Sequence, residues 1–476
     1  MSIFKAYDIR GTYPSEIDKS VAYQIGTAFG ILNQGNGKIK IAVGCDTRLS
    51  GPELKENFIK GLISRGSNYE VIDIGIVTTP ILVFAIKHFN CDGGVNITAS
   101  HNPKEYNGFK FFDKAAIPVS YESGISKLKV IFDKDRAGNN YDYDHHYHNT
   151  DNGSYSYSAP ISVTKRTIKE DYIKFILEMT NTNMNSEDRF PVPVVVVIDG
   201  SNGSAGLYAP EIHRRAGMTV YELNCTPDGA FPGHDPDPSK EENLAAAKEK
   251  VKEVGAAIGF VFDGDGDRLA VIDEAGTTVE SSRIFSLLTS RLLEENPGAK
   301  IVHDILTSRM VIDTINNCGG QAIPCRVGHT YIAQKMMAED AELGGELSGH
   351  YYFKETFFAD DAILASLKIV ELLISNSIKL SELVKDFPEY LSENLRISVK
   401  ESKKFPFITK LKRELEEAGY LLDCLDGVKV IFEDGWVIFR ASNTEPKISI
   451  VYESSDKRGY NRLKDFVQSI IRKVPQ

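Results

Sequence analysis

Short apolar runs bounded by glycines and polar loops recur along the chain, with helical stretches between them. Residues 39–46, IKIAVGCD, read as a buried strand. They are followed by TRLSGPELKENFIKGLISRG, a loop and a helix that ends at Gly66. The strand YEVIDIG, the helical TPILVFAIKHF and the strand-forming CDGGVNITAS come next, and the last of these runs into the polar loop NITASHNPKEYNGFKFF, residues 96–112. This order predicts an α/β unit with helices packed on a largely parallel sheet.

The same grammar returns twice. VPVVVVIDG (192–200) reads as a strand, SNGSAGLYAPEIHRRAG as a glycine-rich loop and helix, and MTVYELN as a second strand. A helix over KEENLAAAKEKVKEVG leads to the strand AAIGFVF and the loop DGDGDR. A third copy starts at KIVHDI (300–305), passes through the helix SRMVIDTINNCGG and the strand QAIPCRV, and ends at AELGGELSGHYYF. Each copy delivers an unusual polar loop at the end of a strand, where open α/β sheets gather their ligands. From about residue 388 the pattern changes to the helix ITKLKRELEEAG, the strands GVKVIFE, GWVIFRAS and KISIVYE, and a last helix, a small α+β domain. The expected division is therefore 1–160, 161–275, 276–387 and 388–476. Between the first two copies, DYDHHYHNTDNGSYSYSAP (142–160) reads as a polar linker, with metal binding by His145, His146 and His148 as the other reading.

Length and composition agree with several soluble domains: 476 residues, 42% hydrophobic and 25% charged. A net charge of −11 without a basic block argues against a nucleic-acid partner, yet leaves room for a small anion held by local arginine and lysine. Six scattered cysteines form no C-x-x-C pair, which disfavours a zinc ribbon or a disulfide framework. No signal-like N-terminus and no membrane-spanning apolar run is read, so the expectation is a cytoplasmic protein without a membrane partner.

Four loops can carry chemistry. TASHNP places Ser100, His101, Asn102 and Pro103 at a strand end with Lys110 nearby, although these are also ordinary turn residues. In DGDGDR, Asp263, Asp265 and Asp267 alternate with small residues and can turn three carboxylates onto one hard cation, Mg²⁺ or Ca²⁺ rather than zinc. An acidic turn is the plain alternative. An EF-hand reading fails because Arg268 stands where that loop needs glycine. GELSGHYYF offers Glu346, Ser348 and His350 to sugar hydroxyls, or is a turn. RASNTEPK joins two strands and offers Arg440, Ser442 and Thr444 to a phosphate, or is a surface hairpin. Walker and Rossmann motifs do not occur in the right setting, which disfavours a nucleotide enzyme. A serine beside a hard-cation cluster and a phosphate cradle points to phosphoryl transfer. Acyl chemistry would want G-x-S-x-G, and the chain lacks it.

TASHNP, DGDGDR, GELSGH and RASNTEP, in that order and together with the opening FKAYDIRG, resemble the signature loops of the α-D-phosphohexomutases over nearly the whole chain. The resemblance implies three similar α/β domains with mixed, largely parallel sheets plus a C-terminal α+β domain around a central cleft. It implies that Ser100 is the phosphorylated serine and that Asp263, Asp265 and Asp267 hold Mg²⁺ together with it. Glu346 and Ser348 would read sugar hydroxyls, and Arg440, Ser442, Asn443 and Thr444 would grip the phosphate that is not transferred. Arg268, Arg10, Lys110 and His329 match further cleft positions, the last three as candidates for proton handling and charge stabilisation; His101 and Lys110 can balance phosphate charge. The implied reaction interconverts hexose 1-phosphate and hexose 6-phosphate through a hexose 1,6-bisphosphate, which also serves as activator.

One position departs from the pattern. Many relatives read D-V-K-x-[ST]-R where this chain has DILTSR, so Leu306 stands in place of a lysine, which bears on efficiency or the preferred sugar. Asn443 in SNTEP leans toward the phosphomannomutase/phosphoglucomutase branch over phosphoglucosamine mutases, without ranking mannose against glucose. A metal-dependent sugar phosphatase and a non-catalytic sugar-phosphate binder are the rival classes. Oligomeric state is not legible.

Overall fold

A computed structural model of the chain describes residues 3–33, 37–64, 68–138, 162–180, 194–442 and 446–474. The histidine-bearing stretch 142–160 lies outside the described residues. The chain divides into two compact units, Met1–Thr278 with Glu355–Glu371, and Val279–Lys354 with Leu372–Gln476.

The first unit holds two sheets. In the first, Ile39–Cys45 lies between Tyr69–Ile76 and Gly93–Ile97, parallel to both, and Ser162–Lys165 adds in parallel beyond Tyr69–Ile76. Two antiparallel strands complete it: Tyr106–Phe112 beside Gly93–Ile97, then Ile9–Thr12. The central strands Ile39–Cys45 and Gly93–Ile97 are buried along nearly their whole length, as covering by helices requires. Ile41, Val43, Val95, Ile97, Phe109 and Phe111 sit in one core with Phe29 and Phe58 from the helices Lys19–Leu32 and Gly51–Ile63. The Phe29 and Phe111 rings stack at 5.3 Å.

The second sheet centres on Val195–Asp199, parallel to Thr219–Leu223 and Ile258–Phe262, with Leu269–Asp273 antiparallel to the latter. Helix Ala245–Val254 stops where expected because Gly255 turns left-handed at φ +63° and donates its N–H to Val251 O.

The second unit also holds two sheets. Lys300–Asp304 runs parallel to Gln321–Cys325 and Leu343–Gly345, and Tyr351–Phe353 returns antiparallel. The C-terminal sheet is antiparallel throughout, in the order Leu391–Ser398, Lys447–Ser454, Gly435–Ala441, Val428–Phe432 and Leu422–Asp423. Its helices are Glu401–Glu417 and Lys457–Ile471. Three α/β domains with mixed sheets and a C-terminal α+β domain are thus present, each polar loop leaving the end of a strand.

Candidate active site

Two polar clusters form, one in each unit. In the first unit the antiparallel pair Gly93–Ile97 and Tyr106–Phe112 sets Lys110 directly opposite Asn96, and the loop between them carries Ser100. Ser100 is 2% exposed and has φ +52°. A left-handed backbone at a non-glycine residue costs on the order of 1–3 kcal/mol and persists only where its surroundings over-determine it. Its Oγ donates to Asp263 Oδ2 at 2.8 Å and lies 3.3 Å from His101 Nδ1. The two loops touch through their backbones: a Cβ on Gly264 would stand 2.6 Å from Ser100 O, so only glycine fits there.

Asp263, Asp265 and Asp267 are fully buried, and one carboxylate oxygen from each lies within 4.8 Å of the others. Asp263 Oδ1 accepts the N–H groups of Asp267 and Arg268 at 3.0 and 3.2 Å. Lys110 Nζ sits between Asp265 Oδ2 at 2.7 Å and Asp267 Oδ2 at 2.6 Å. Asp265 Oδ2 also accepts Thr79 Oγ1 at 2.6 Å, and Asn96 Nδ2 donates to that hydroxyl at 3.0 Å. Asp265 Oδ1 is buried with no hydrogen-bond partner among the described residues.

The charges follow from this packing. Burial, then Asp267 and Asp265, pushes the Asp263 carboxyl well above the ordinary aspartate range. Burial and Asp267 push Asp265 the same way, but the Lys110 ammonium and the Thr79 hydroxyl outweigh them and hold it low. Burial pushes Lys110 down, but Asp265 and Asp267 outweigh it and raise it well above the ordinary lysine range. At the edge of this cluster Arg10 donates to Asp8 Oδ2 at 2.5 Å and to Asn102 Oδ1 at 2.6 Å, tying the N-terminal strand to the serine loop.

In the second unit, Glu346 is 4% exposed. It accepts Gly328 N–H at 2.9 Å and Tyr352 Oη–H at 3.0 Å, and its Oε2 lies 2.8 Å from His350 Nδ1. Ser348 Oγ is 2.8 Å from the same nitrogen. His329 begins the helix His329–Glu339, its ring 6.3 Å from that of His350. Burial opposes ionisation of Glu346, but His350, His329 and the Gly328 N–H outweigh it and bring it to about 2. Nearby Asp304, at a strand end, is pushed up to about 7 by burial and by Glu346, against Thr307 and Arg440.

Arg440, next to last in Gly435–Ala441, is buried with Nε on Asp426 Oδ2 at 2.9 Å, and Asp426 Oδ2 also accepts Val327 N–H at 3.0 Å. Ser442 follows, its carbonyl held by Lys404 Nζ at 2.6 Å. Asn443 and Thr444 lie outside the described residues. Leu306 packs against an apolar group of Ile305, Trp436, Ile438 and Val451. A cation does stand beside this loop: Lys429 Nζ donates to Ile305 O at 2.8 Å and lies 3.9 Å from the Trp436 ring centre.

The structure thus brings Ser100, His101, Lys110, Arg10, Arg268 and the three aspartates together in one unit. It brings Glu346, Ser348, His350, His329 and Arg440 together in the other. Reading the loops missed Asp304, Asp426, Thr79, Asn96, Asp46 and Arg48. Asp46 and Arg48, in CDTRLSG, do follow a strand directly, the position where ligand loops sit in such sheets, and that signal was available.

A serine hydroxyl held against a buried carboxylate cluster, on serial α/β domains, defines a phosphoryl-transfer class of protein. Residues 1–138, 170–276 and 280–390 match phosphoglucomutase/phosphomannomutase alpha/beta/alpha domains I, II and III, and residues 395–470 match the C-terminal domain. The chain is 35% identical over 478 residues to a phosphomannomutase/phosphoglucomutase of Pseudomonas putida, covering 100% of this chain and 96% of that protein. It is 35% identical over 457 residues to a phosphoglucomutase/phosphomannomutase of Thermococcus kodakarensis, covering 96% and 95%. A crystal structure of a phosphoglucomutase/phosphomannomutase family protein from Burkholderia thailandensis superposes with a TM-score of 0.84 at 30% identity, covering 99% of this chain and 97% of that one. The chain belongs to the phosphoglucomutase/phosphomannomutase family.

Proposed function

We propose that the protein interconverts hexose 1-phosphate and hexose 6-phosphate, of mannose, glucose or both, with Ser100 as the phosphoryl carrier. The observation that carries this is Ser100 Oγ, left-handed at its backbone, buried at a strand end and bonded to Asp263. Family membership adds to it, since the relatives named above are phosphomannomutase/phosphoglucomutases.

The aspartate loop fits a divalent cation such as Mg²⁺. Its donors are oxygens only, and Asp265 keeps a buried Oδ1 that no hydrogen bond uses among the described residues. Asp263, Asp265 and Asp267 would hold it with an oxygen of the serine or its phosphate. There it would supply positive charge opposite the moving phosphoryl group.

The chain's own residues do the rest. The phosphorylated Ser100 gives its phosphoryl group to the free 6-hydroxyl of hexose 1-phosphate: the Oγ–P bond breaks, the O6–P bond forms, and the proton of the sugar hydroxyl ends on the departing Ser100 Oγ. The resulting 1,6-bisphosphate turns over, and Ser100 takes back the phosphoryl group from position 1, releasing hexose 6-phosphate. In that last step the O1–P bond breaks, the Oγ–P bond forms and the serine proton, which Oγ donates to Asp263 Oδ2 at 2.8 Å, ends on O1. His101 Nδ1 stands 3.3 Å from Oγ and can balance phosphate charge. Lys110 Nζ, between Asp265 Oδ2 and Asp267 Oδ2, brings cationic charge beside Ser100. Arg10 and Arg268 add cationic charge on the serine side. Glu346, Ser348 and His350 bind hydroxyls, Arg440 with Ser442, Asn443 and Thr444 takes the resting phosphate, and His329 is a further candidate for moving a proton.

The test is ³¹P NMR with Mg²⁺, a trace of glucose 1,6-bisphosphate, and glucose, mannose or glucosamine 1-phosphate offered separately. Growth of a 6-phosphate signal from the glucose or mannose ester is the expected result. Release of inorganic phosphate alone would turn the reading to a sugar phosphatase.

A further inference from the structure

Ser100 is bonded on both sides of its backbone. Its N–H donates to Thr98 Oγ1 at 2.8 Å, and its carbonyl accepts from Arg48 Nη2 at 2.7 Å. Thr98 passes its single hydroxyl proton to Asp46 Oδ2 at 2.7 Å, and the same oxygen takes Arg48 Nε–H at 3.0 Å. The ring Ser100–Thr98–Asp46–Arg48–Ser100 is therefore closed. Arg48 then reaches along the loop, with Nη2 on Asn102 O at 2.6 Å and Nη1 on Pro103 O and Tyr106 O at 2.7 and 2.9 Å. Nε bonds once and each Nη twice, which uses all five donors that a guanidinium has. Arg48, Asp46 and Thr98 are at most 1% exposed.

A buried guanidinium paired with one carboxylate is a poor way to gain stability, and apolar residues of similar volume often serve the fold as well or better. Here four of the five donors go to carbonyls of residues 100–106, the loop that carries the serine. The residue at its head holds φ +52°, a conformation that serine leaves unless it is restrained. We infer that Arg48, Asp46 and Thr98 are positioning residues, a clasp that locks Ser100 in its left-handed conformation and so keeps Oγ aimed at Asp263. This rests on the reading of Ser100 as the phosphoryl carrier. Release of the clasp lets the serine relax toward ordinary backbone and swings Oγ away from the reacting line. A misplacement of about 1 Å there is enough for a loss near 100-fold.

Thr98→Val keeps the shape and removes both the acceptor for Ser100 N–H and the donor to Asp46. Expected is a fall in kcat of about 30- to 100-fold, with KM for the hexose 1-phosphate and the affinity for Mg²⁺ within about threefold of the parent. Phosphorylation of Ser100 by glucose 1,6-bisphosphate should slow by the same factor as kcat, and Thr98→Ser should restore at least about a third of the parent rate. Arg48→Lys, with three donors and no plane, should lower kcat in the same way. A folded Thr98→Val protein that loses thermal stability but keeps the parent kcat would overturn the inference, because that is how a purely structural residue behaves.

A variant-free measurement covers the case in which these proteins do not fold. In the parent enzyme the Ser100 amide should be strongly protected from hydrogen exchange, and exchange at the rate of a free loop would overturn the clasp. Ser100→Ala separates the two layers. Undiminished turnover by that variant would defeat the carrier reading, whereas protection of the residue 100 amide still reports on the clasp alone.

Discussion

Lys110 is the residue on which the charge balance of the serine side turns. It is 3% exposed and lies within 2.7 Å of two buried carboxylates. Lys110→Met keeps the length and removes the charge that Asp265 and Asp267 share, a change that typically lowers stability by about 3–5 kcal/mol. Saturating Mg²⁺ should return part of that loss, about 2.7 kcal/mol at 100 times its dissociation constant. Urea unfolding with and without Mg²⁺ reads both numbers, and an unchanged midpoint in either condition would contradict the pairing. Ser100 and the aspartates were legible in the sequence because each sits in a short polar loop directly after an apolar strand, the place where such sheets gather ligands. Arg48 was legible by its place just after a strand but not by its role, because its work is done on backbone carbonyls that no side-chain pattern reveals. Leu306 shows the same limit. Its neighbour Lys429 lies 123 positions further on, and only the fold brings that ammonium to the Ile305 carbonyl.

Elements place these residues through strand ends and close loop packing. Gly264→Ala would put a methyl group 2.6 Å from Ser100 O, so one loop must shift. A loss of about 1–3 kcal/mol in stability is expected, with weaker Mg²⁺ binding measured by calorimetry. Asp304, at the end of Lys300–Asp304, offers a test by pH. Burial and Glu346 push its carboxyl up to about 7 in the fold, against about 3.9 in the unfolded chain, so its ionisation resists folding. That penalty is absent below the unfolded value, grows as pH rises, and is complete above about 7, at most about 4 kcal/mol. Asp304→Asn, which can still accept from Leu306 N–H and Thr307 Oγ1, should be more stable than the parent at pH 8 and not at pH 4. Equal gains at both values would contradict the assignment. The parallel strands and their helices were plain in the sequence, since apolar runs and glycine stops mark both. Leu391–Ser398 was not foreseen, although its burial alternates residue by residue as a half-covered edge strand should. Helix Glu401–Glu417 starts earlier than its apolar pattern suggests, running through Pro406.

The whole molecule is a set of four sheets, each sending one polar loop out of a strand end, in a chain that belongs to the phosphoglucomutase/phosphomannomutase family. Order and spacing of those loops were legible because each is short and contiguous. Their partners were not, since Asp426 meets both Val327 and Arg440 only after folding. Among the described residues no helix is long and apolar enough to cross a membrane. The central claim is that Ser100 carries the phosphoryl group. Incubation with ³²P-labelled glucose 1,6-bisphosphate, proteolysis and mass mapping test it directly. The expected result is one phosphoryl group per chain, on the peptide containing Ser100, discharged by hexose 1-phosphate and absent from Ser100→Ala. Label on another peptide, or full turnover with no labelled serine, would contradict it.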